Sequence, residues 1–424
     1  MGHPGVPASQ ERARHVDVST AAATESLTAF SAEALGFLEA AAPPRPPEVH
    51  IWGEGDEGLT IFHETTGDEE LAEVDAAKAW QARKWQAGFG WITGPVHHGG
   101  RGLPVDFDRC FRRLEARFAV ADLSPLRIGL STVGPGILVN GTPEQVDRCC
   151  VPIQRGRTVA CQLFSEPEAG SDLAGVRTRA RRDGAVWLLD GQKVWTSNAQ
   201  FADVGLALVR TDPDAPKHRG LTVMVVPMDQ PGVEVRPLRQ LTGGASFTEV
   251  FLDGAVVPDD HVIGAVGEGW RVAVSTLTAE RTATGDRSHG LTGRAFALLV
   301  ALARRTGGAE DPVNRQRLAD IALRLRIAEY HQQRMQAVPI EKLIGPERAM
   351  DKLVLADNLR RIGEAAASLL GPALIADTGQ WGTAAWARWV LGATGYRIGG
   401  GTDEVLRTTL GERLLGLPRE PSGG

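Results

Sequence analysis

The spacing of hydrophobic residues along the 424-residue chain changes twice. Up to about residue 157, apolar positions recur every three or four residues, a spacing that predicts amphipathic helices. From about Thr158 the apolar runs shorten to four to eight residues and are separated by turn residues, as expected of antiparallel strands. The helical spacing returns after "VGEGW" at 266 to 270. The predicted order is therefore helices, strands, helices.

These changes of pattern predict the boundaries of the structural units. We expect a flexible N-terminus (1–24), an N-terminal helical domain (25–157), a central β-domain (158–268) and a C-terminal helical domain (269–424). Within the β-domain, "AVWLLDGQKVWTSN" carries an Asp-Gly pair between two apolar runs, which predicts a hairpin turn at Asp190 and Gly191. The fold class is α+β.

Composition narrows the functional classes. The net charge is −6, and no Lys/Arg run with interleaved aromatic residues occurs, which disfavours nucleic acid as the main partner. The longest apolar runs are too short for a bilayer span, and the N-terminus lacks a secretory core, so we expect a cytoplasmic protein without a membrane span. Without H-E-x-x-H or C-x-x-C, no metal site is expected, and the four cysteines are expected to be reduced, buried thiols.

Three polar stretches are candidates for ligand binding. In "CQLFSEPEAGSDLAG" the hydroxyls of Ser165 and Ser171 flank a turn whose backbone amides can face a ligand oxygen. In "KVWTSN" an indole at Trp195 can cover an aromatic ring. In "GYRIGGGTDEVLRTTLGERLLGLPRE" three glycines precede a helix that Thr402 can cap, which indicates a tight turn or a ligand against bare backbone. By themselves, the first two also fit an ordinary polar turn and a core tryptophan.

Five ordered motifs resemble those of the acyl-CoA dehydrogenase family. They are "CQLFSEPEAGSDLAG", "GQKVWTSNAQFAD", "VPDDHVIG", "GEGW" and "GGGTDEVLRTTLGERLLGLPR", and the resemblance covers roughly residues 25 to 420. The family's fold is an N-terminal helical domain, a central antiparallel β-domain and a C-terminal four-helix bundle. This order agrees with the three regions that the hydrophobic pattern predicts.

The resemblance implies bound FAD between the β-domain and the C-terminal bundle. The residues that match the family's cofactor contacts are Gln162, Phe164, Ser165, Gly170, Ser171, Trp195, Thr196, Ser197, Thr402, Asp403 and Glu404. Two segments, "RRTGGAEDP" and "SLLGPALIADTG", depart from the family pattern where relatives contact the FAD of a neighbouring subunit. The resemblance therefore assigns those contacts to no particular residues of this chain.

The position of the catalytic base differs from the position that is common in the family. Many family members place a Glu directly before the Gly-Thr of the C-terminal turn, where this chain has Gly400. A second known position, on the first helix of the C-terminal domain before an Arg, matches Glu280 and Arg281. We therefore predict Glu280 as the base and the Gly400 amide as donor to the thioester oxygen, with Ser171, Arg281, Gly400 and Gly401 on the substrate side. The alternative for Glu280 is a helix-surface ion pair with its neighbour.

The resemblance implies α,β-dehydrogenation of an acyl thioester, presented on CoA or on an acyl carrier protein. Electrons would pass from the reduced flavin to an electron-transfer flavoprotein or a similar acceptor, and a homodimer, homotetramer or heterotetramer is expected. Two alternatives stay open. One is a non-catalytic partner subunit, in which Gly400 marks a lost base, and the other is a flavin oxidase or monooxygenase on the same fold.

Overall fold

The computed structural model describes residues 26–47, 59, 61–62, 67–337, 346–376, 378 and 382–419. The predicted flexible N-terminus, residues 1–24, lies outside this range. The first helices are α1 (Leu27–Ala41), α2 (Asp68–Gln86), α3 (Val105–Glu115), α4 (Gly134–Asn140), α5 (Pro143–Gln145) and α6 (Val151–Gln154). Helix α1 begins directly after Ser26, whose hydroxyl accepts a hydrogen bond from the amide of Ala29.

Aromatic packing holds the first helices together. Phe30 of α1 lies edge-on to Phe89 and to Phe107 of α3, at ring-centroid distances of 5.7 and 5.1 Å. Phe89 in turn stacks on Phe111 at 4.9 Å. Because these rings are almost fully buried, they form the core of this helical part.

The middle of the chain forms one mixed, mostly antiparallel sheet. Its strands are β1 (Ala160–Leu163), β2 (Arg179–Asp183), β3 (Val186–Ser197), β4 (Val204–Arg210), β5 (Leu221–Pro227), β6 (Val233–Leu238), β7 (Phe247–Pro258) and β8 (Val262–Ile263). They lie in the order β6-β7-β3-β2-β4-β5-β8, and β1 pairs in parallel with β4. One further parallel pairing joins β2 to β4, so the sheet is not wholly antiparallel.

The predicted hairpin turn at Asp190 and Gly191 is wrong, because β3 continues through both residues. Strand β7 pairs with β3 from Val186 to Ser197, and the extra backbone is absorbed as an irregularity between Leu189 and Gly191. The carboxylate of Asp190 accepts a hydrogen bond from the amide of Gly254, at 2.8 Å. Long pairing to a neighbouring strand thus overrides the local turn signal.

The last part of the chain is helical. Four long helices pack on one another, α7 (Gly269–Arg305), α8 (Pro312–Ala337), α9 (Arg348–Leu370) and α10 (Thr383–Tyr396), and a short α11 (Asp403–Thr409) follows. Trp386 and Trp389 of α10 are completely buried among leucines of α7 and α9. The helix–sheet–helix order and the four packed C-terminal helices confirm the predicted fold class.

Helix α7 connects all three parts of the molecule. A Cβ on Gly136 of α4 would lie 2.5 Å from the hydroxyl of Thr276, so the two helices touch where only glycine fits. Beside this contact, the side-chain amide of Asn140 donates to the hydroxyl of Ser275 at 2.8 Å. Helix α7 also packs against β5. The first half of α7 is therefore held in place by the N-terminal helices and by the sheet.

The described residues contain no helix long and apolar enough to cross a membrane. Within the same ranges, no group of three or more His, Cys, Asp or Glu side chains is arranged to hold a metal ion. The four cysteines are buried and unpaired, as expected.

Candidate active site

Two of the predicted cofactor-binding stretches lie side by side. Gln162 is partly exposed on β1, Phe164 is buried, and the carbonyl of Ser165 accepts a hydrogen bond from the amide of Val194, at 2.9 Å. This bond joins the end of β1 to β3 just before Trp195. The sheet thus brings together residues some thirty positions apart in the sequence.

A buried ion pair between Lys193 and Glu166 fixes this junction. The fully buried Lys193 ammonium donates to the Glu166 carboxylate at 2.8 Å and to the carbonyls of Phe164 and Leu208 at 3.1 and 2.6 Å. The carboxylate of Glu166 also accepts from the backbone amides of Arg177 and Thr178, at 2.6 and 2.9 Å. Both charges are therefore fully engaged.

The electrostatics of the pair follow from this burial. Burial lowers the pKa of Lys193 to about 8, against the opposing attraction of Glu166. Burial would raise the pKa of Glu166, but the Lys193 charge and the backbone donors outweigh it and hold the pKa below its ordinary value. The sequence analysis assigned no role to either residue. The signal was a lysine among alternating apolar residues of a strand, which needs a buried counter-ion.

Trp195 lies at an irregularity of β3 with an unusual backbone. Its φ is +60°, a left-handed conformation that costs a non-glycine residue about 1–2 kcal/mol, and its indole is 60% exposed. Strand pairing to β7 is interrupted between Lys193 and Thr196 at this point. A large ring held outward by a strained backbone is typical of a binding surface rather than of a core position.

A row of four aromatic side chains, which we call the aromatic row, leads from Trp195 to α10. Trp195 lies edge-on to Phe247 at 5.9 Å, and Phe247 lies edge-on to Phe62 at 5.4 Å. Phe62 stacks on Tyr396 at 5.7 Å. The sequence analysis did not find this row because its members come from four distant segments. It connects the sheet to the segment that precedes the three glycines.

Glu280 lies on α7 and faces β1. Its side chain is partly buried and hydrogen-bonds to the side chain of Gln162. Burial raises the pKa of Glu280 above its ordinary value, although the Arg281 charge and the Gln162 hydrogen bond act in the opposite direction. Arg281 is itself partly buried, and burial lowers its pKa. The candidate base therefore points at a predicted cofactor-binding residue rather than into open solvent.

The three glycines form an open turn, residues 398–402, which we call the glycine turn. Gly400 and Gly401 have φ values of +68° and +95°, which side-chain-bearing residues rarely adopt. No atom lies within 4 Å of the position that a Cβ on Gly400 would occupy. Among the hydrogen bonds of the described residues, none is donated by the Gly400 amide. The turn therefore offers bare backbone and space.

The polar residues after the glycine turn have partners of their own. The Thr402 hydroxyl caps α11 by accepting from the amide of Val405, at 3.2 Å. The buried Asp403 carboxylate binds Lys352 at 2.9 Å and Arg397 at 3.0 Å. Glu404 is exposed and lies 4.0 Å from Arg407. Among the described residues, no hydrogen bond joins these three to the sheet.

The residues of the site fit the flavin that the resemblance implies. The exposed Trp195 indole offers a flat apolar surface, and the hydroxyl of the adjacent Thr196 is buried without a hydrogen-bond partner among the described residues. Ser197 beside it is partly buried, and Gly170 and Ser171 are exposed in the loop after β1. A polar, planar ring system would use both the surface and the unpaired hydroxyl.

Comparison with known proteins shows the family of the chain. Residues 161–255 match the family model described as acyl-CoA dehydrogenase, middle domain, and residues 267–415 match the acyl-CoA dehydrogenase C-terminal domain. Acyl-CoA dehydrogenase IpdE1 of Mycobacterium tuberculosis is 39% identical over 347 residues, which cover 82% of this chain and 89% of that relative.

Two solved structures are similar over most of the chain. The first, described as the Tcur3481-Tcur3483 steroid ACAD, has a TM-score of 0.74 at 27% identity and covers 93% of this chain and 98% of that one. The second, the ChsE4-ChsE5 complex from Mycobacterium tuberculosis, has a TM-score of 0.70 at 23% identity, covers 93% and 98% of the two chains, and shows the shared fold. The chain belongs to the acyl-CoA dehydrogenase family of FAD-dependent oxidoreductases, which dehydrogenate acyl thioesters.

Proposed function

We propose that this chain removes the α-proton of a bound acyl thioester with Glu280 and so produces the 2-enoyl thioester. The observation that carries the proposal is the hydrogen bond between Glu280 and Gln162, which directs the carboxylate from α7 toward the wall made by β1 and β3. A helix-surface ion pair, the alternative for this residue, would leave the carboxylate solvated. Partial burial and the raised pKa argue against that alternative.

In the proposed reaction, different residues of the chain have different roles. Bound FAD supplies the acceptor for the hydride from the β-carbon. Glu280 takes the α-proton, and its raised pKa makes it a stronger base than a solvated glutamate. The Gly400 amide donates to the thioester oxygen and stabilises the enolate character that develops as the proton leaves. Trp195 and Thr196 would hold the flavin, and partial burial of the base limits its contact with water.

Gly400 is consistent with a base that arrives from another helix. A side chain at position 400 would project into the space that is open in this structure, and φ at this residue favours glycine. With glycine there, that space is left for the thioester and for the carboxylate from α7. In this proposal Glu280 takes the role of the missing glutamate, so that glycine at position 400 does not by itself indicate a non-catalytic subunit.

We propose a CoA thioester as the substrate, with a bulky, ring-containing acyl group as the first to test. The support is the similarity to a structure described as a steroid ACAD. The electron acceptor that we propose is an electron-transfer flavoprotein.

We propose that the chain functions in an oligomer with a second chain of the same fold. Leu323, Ile327 and Tyr330 lie four and three residues apart on α8 and are 60%, 55% and 61% exposed. These positions form an apolar stripe on one face of the helix, and such stripes commonly mark interfaces. The similarity to a complex of two differently named proteins supports a heteromeric form, and a homo-oligomer is the alternative.

Anaerobic titration of the flavin-loaded protein tests the proposed function. The thioesters should include short, branched and steroid-derived acyl groups, each on CoA and on an acyl carrier protein. We expect one class of CoA thioester to bleach the visible flavin absorption stoichiometrically. A protein that binds FAD but is bleached by none would be a non-catalytic subunit. Rapid reoxidation of the bleached protein by oxygen would instead indicate an oxidase or monooxygenase.

A further inference from the structure

The glycine turn is closed by two contacts between the residues on either side of it. The amide of Asp403 donates to the carbonyl of Arg397 at 3.0 Å, and Nε of Arg397 donates to the Asp403 carboxylate at 3.0 Å. The turn between them, residues 398–402, contains the two glycines with positive φ. These contacts set the shape of the turn but do not tie it to the rest of the molecule.

Lys352 provides that tie. It lies on α9, and its ammonium donates to the second oxygen of the Asp403 carboxylate at 2.9 Å. The side chains of Lys352 and Asp403 are only 6% and 7% exposed. Helix α9 packs against α7, which carries Glu280, and against α11. One ion pair thus connects the glycine turn to the helix bundle that carries the candidate base.

A buried ion pair such as this one adds little net stability to the fold. Desolvating two charges costs several kcal/mol, and well-packed apolar residues of similar volume are often as stable or more stable. Burial favours the neutral acid, yet the hydrogen bonds from Lys352 and Arg397 hold the pKa of Asp403 below its ordinary value. A charged, hydrogen-bonded pair fixes the orientation of the Asp403 carboxylate, because each oxygen has one defined donor. An apolar contact does not fix an orientation in this way.

We propose that Lys352 is a positioning residue, which acts through Asp403 to hold the Gly400 amide at the place where the thioester oxygen binds. The inference rests on the proposed function, since it gives the Gly400 amide a role in stabilising the enolate. Lys352 does not touch the substrate. It determines where the backbone of the turn stands relative to α7, and a displacement of about 1 Å at such a site costs up to roughly a hundredfold in rate.

The test uses Lys352→Met, the double variant Lys352→Met with Asp403→Asn, and the control Arg360→Met. Arg360 also lies on α9, but its ion pairs with Asp357 and Glu364 are on the helix surface. The flavin-loaded proteins are compared by the rate of flavin reduction, by thermal unfolding and by the calorimetric Kd for the enoyl thioester product. The product requires no proton transfer, so its Kd reports on the amide without turnover.

We expect Lys352→Met to lower the rate of flavin reduction about 10- to 100-fold and to weaken product binding, because the turn is no longer fixed. The double variant should regain part of the thermal stability, since it no longer buries a carboxylate that has lost one of its two cations, but should stay slow. Arg360→Met should behave as the unmodified protein. Native rate and native product affinity in Lys352→Met would overturn the inference, as would a double variant that regains stability and rate together. If no thioester reduces the unmodified protein, the proposed function fails instead.

Discussion

At the residue scale, the raised pKa of Glu280 has a consequence for activity. A protonated carboxyl cannot accept the α-proton, so the rate of flavin reduction should rise with pH through the pKa of this residue. Because burial raises that pKa, the acid limb of the profile should lie above pH 4.5, the ordinary value for a glutamate. Anaerobic rates measured between pH 4 and 8 check this. A limb at or below 4.5 would mean that the titrating group is solvated.

The raised pKa of Glu280 also affects stability: activity rises with pH, whereas the contribution of Glu280 to stability falls. A carboxyl whose folded-state pKa is raised binds its proton more tightly in the folded state, so its contribution to stability falls as pH rises through the window above 4.5. Glu280→Gln should therefore be at least as thermally stable as the unmodified protein at pH 7, with no advantage below pH 4.5. A clear loss of stability at pH 7 would instead indicate that the Glu280 carboxylate makes a stabilising ion pair.

The buried Lys193–Glu166 pair predicts a large asymmetry between two lysines. Lys193→Met leaves the Glu166 carboxylate buried without its counter-ion and should lower the free energy of unfolding by about 3–5 kcal/mol. Lys217→Met removes an ion pair with Asp172 whose partners are more than half exposed, and should cost less than about 1 kcal/mol. Denaturant unfolding of both variants measures the difference. Equal effects would show that the buried pair is not essential to this junction.

At the scale of elements, the irregularity in β3 predicts that stability and cofactor binding respond in opposite ways. Trp195→Gly relieves a left-handed backbone and should raise or maintain the unfolding temperature of the apoprotein, because the indole buries little surface. Flavin affinity should fall, since the planar surface is lost. Asn198→Gly, at a residue with the same φ of +60°, is the control and should retain FAD. Fluorescence titration of the apoproteins with FAD measures the affinities. Equal FAD affinities of Trp195→Gly and the unmodified protein would contradict the role of Trp195.

Hydrophobic spacing predicts the elements well wherever local sequence determines them. The change from helix to strand near Thr158 lies just before β1, and the return to helix near Gly269 coincides with the start of α7, because periodicity reflects which face of each element is buried. The Asp-Gly pair at 190 and 191 wrongly predicted a hairpin turn, since the pairing of β3 with β7 spans it. A turn signal is local, whereas the length of a strand depends on its neighbours.

The candidate site was partly predictable for the same reason. The motifs around Ser165, Trp195 and Gly400 are contiguous in sequence and were found by their composition. The buried partners Lys193 and Lys352 and the aromatic row were missed, because each depends on contacts between distant segments. For Asp403, the family resemblance implied a cofactor contact, and the structure shows its carboxylate bound by two cations. Its contact with FAD stays a prediction.

At the scale of the whole molecule, the apolar stripe on α8 predicts that the chain is not a monomer. Replacing Leu323 and Ile327 by Glu places charges on the stripe and should dissociate the oligomer or the heteromeric complex. Ala76→Glu, at an exposed position on α2, should leave the assembly intact. Light scattering coupled to size-exclusion chromatography measures the mass of each. An unchanged mass in the double variant would place the interface elsewhere.

The most direct test of the account is the rate of flavin reduction in Glu280→Gln. Stopped-flow mixing with the thioester that best bleaches the unmodified protein should show a rate lower by about 10²–10⁴-fold, the usual contribution of a general base. Glu268→Gln, an exposed position just before α7, is the matched control and should reduce at the native rate. If Glu280→Gln also reduces at the native rate, Glu280 is not the base.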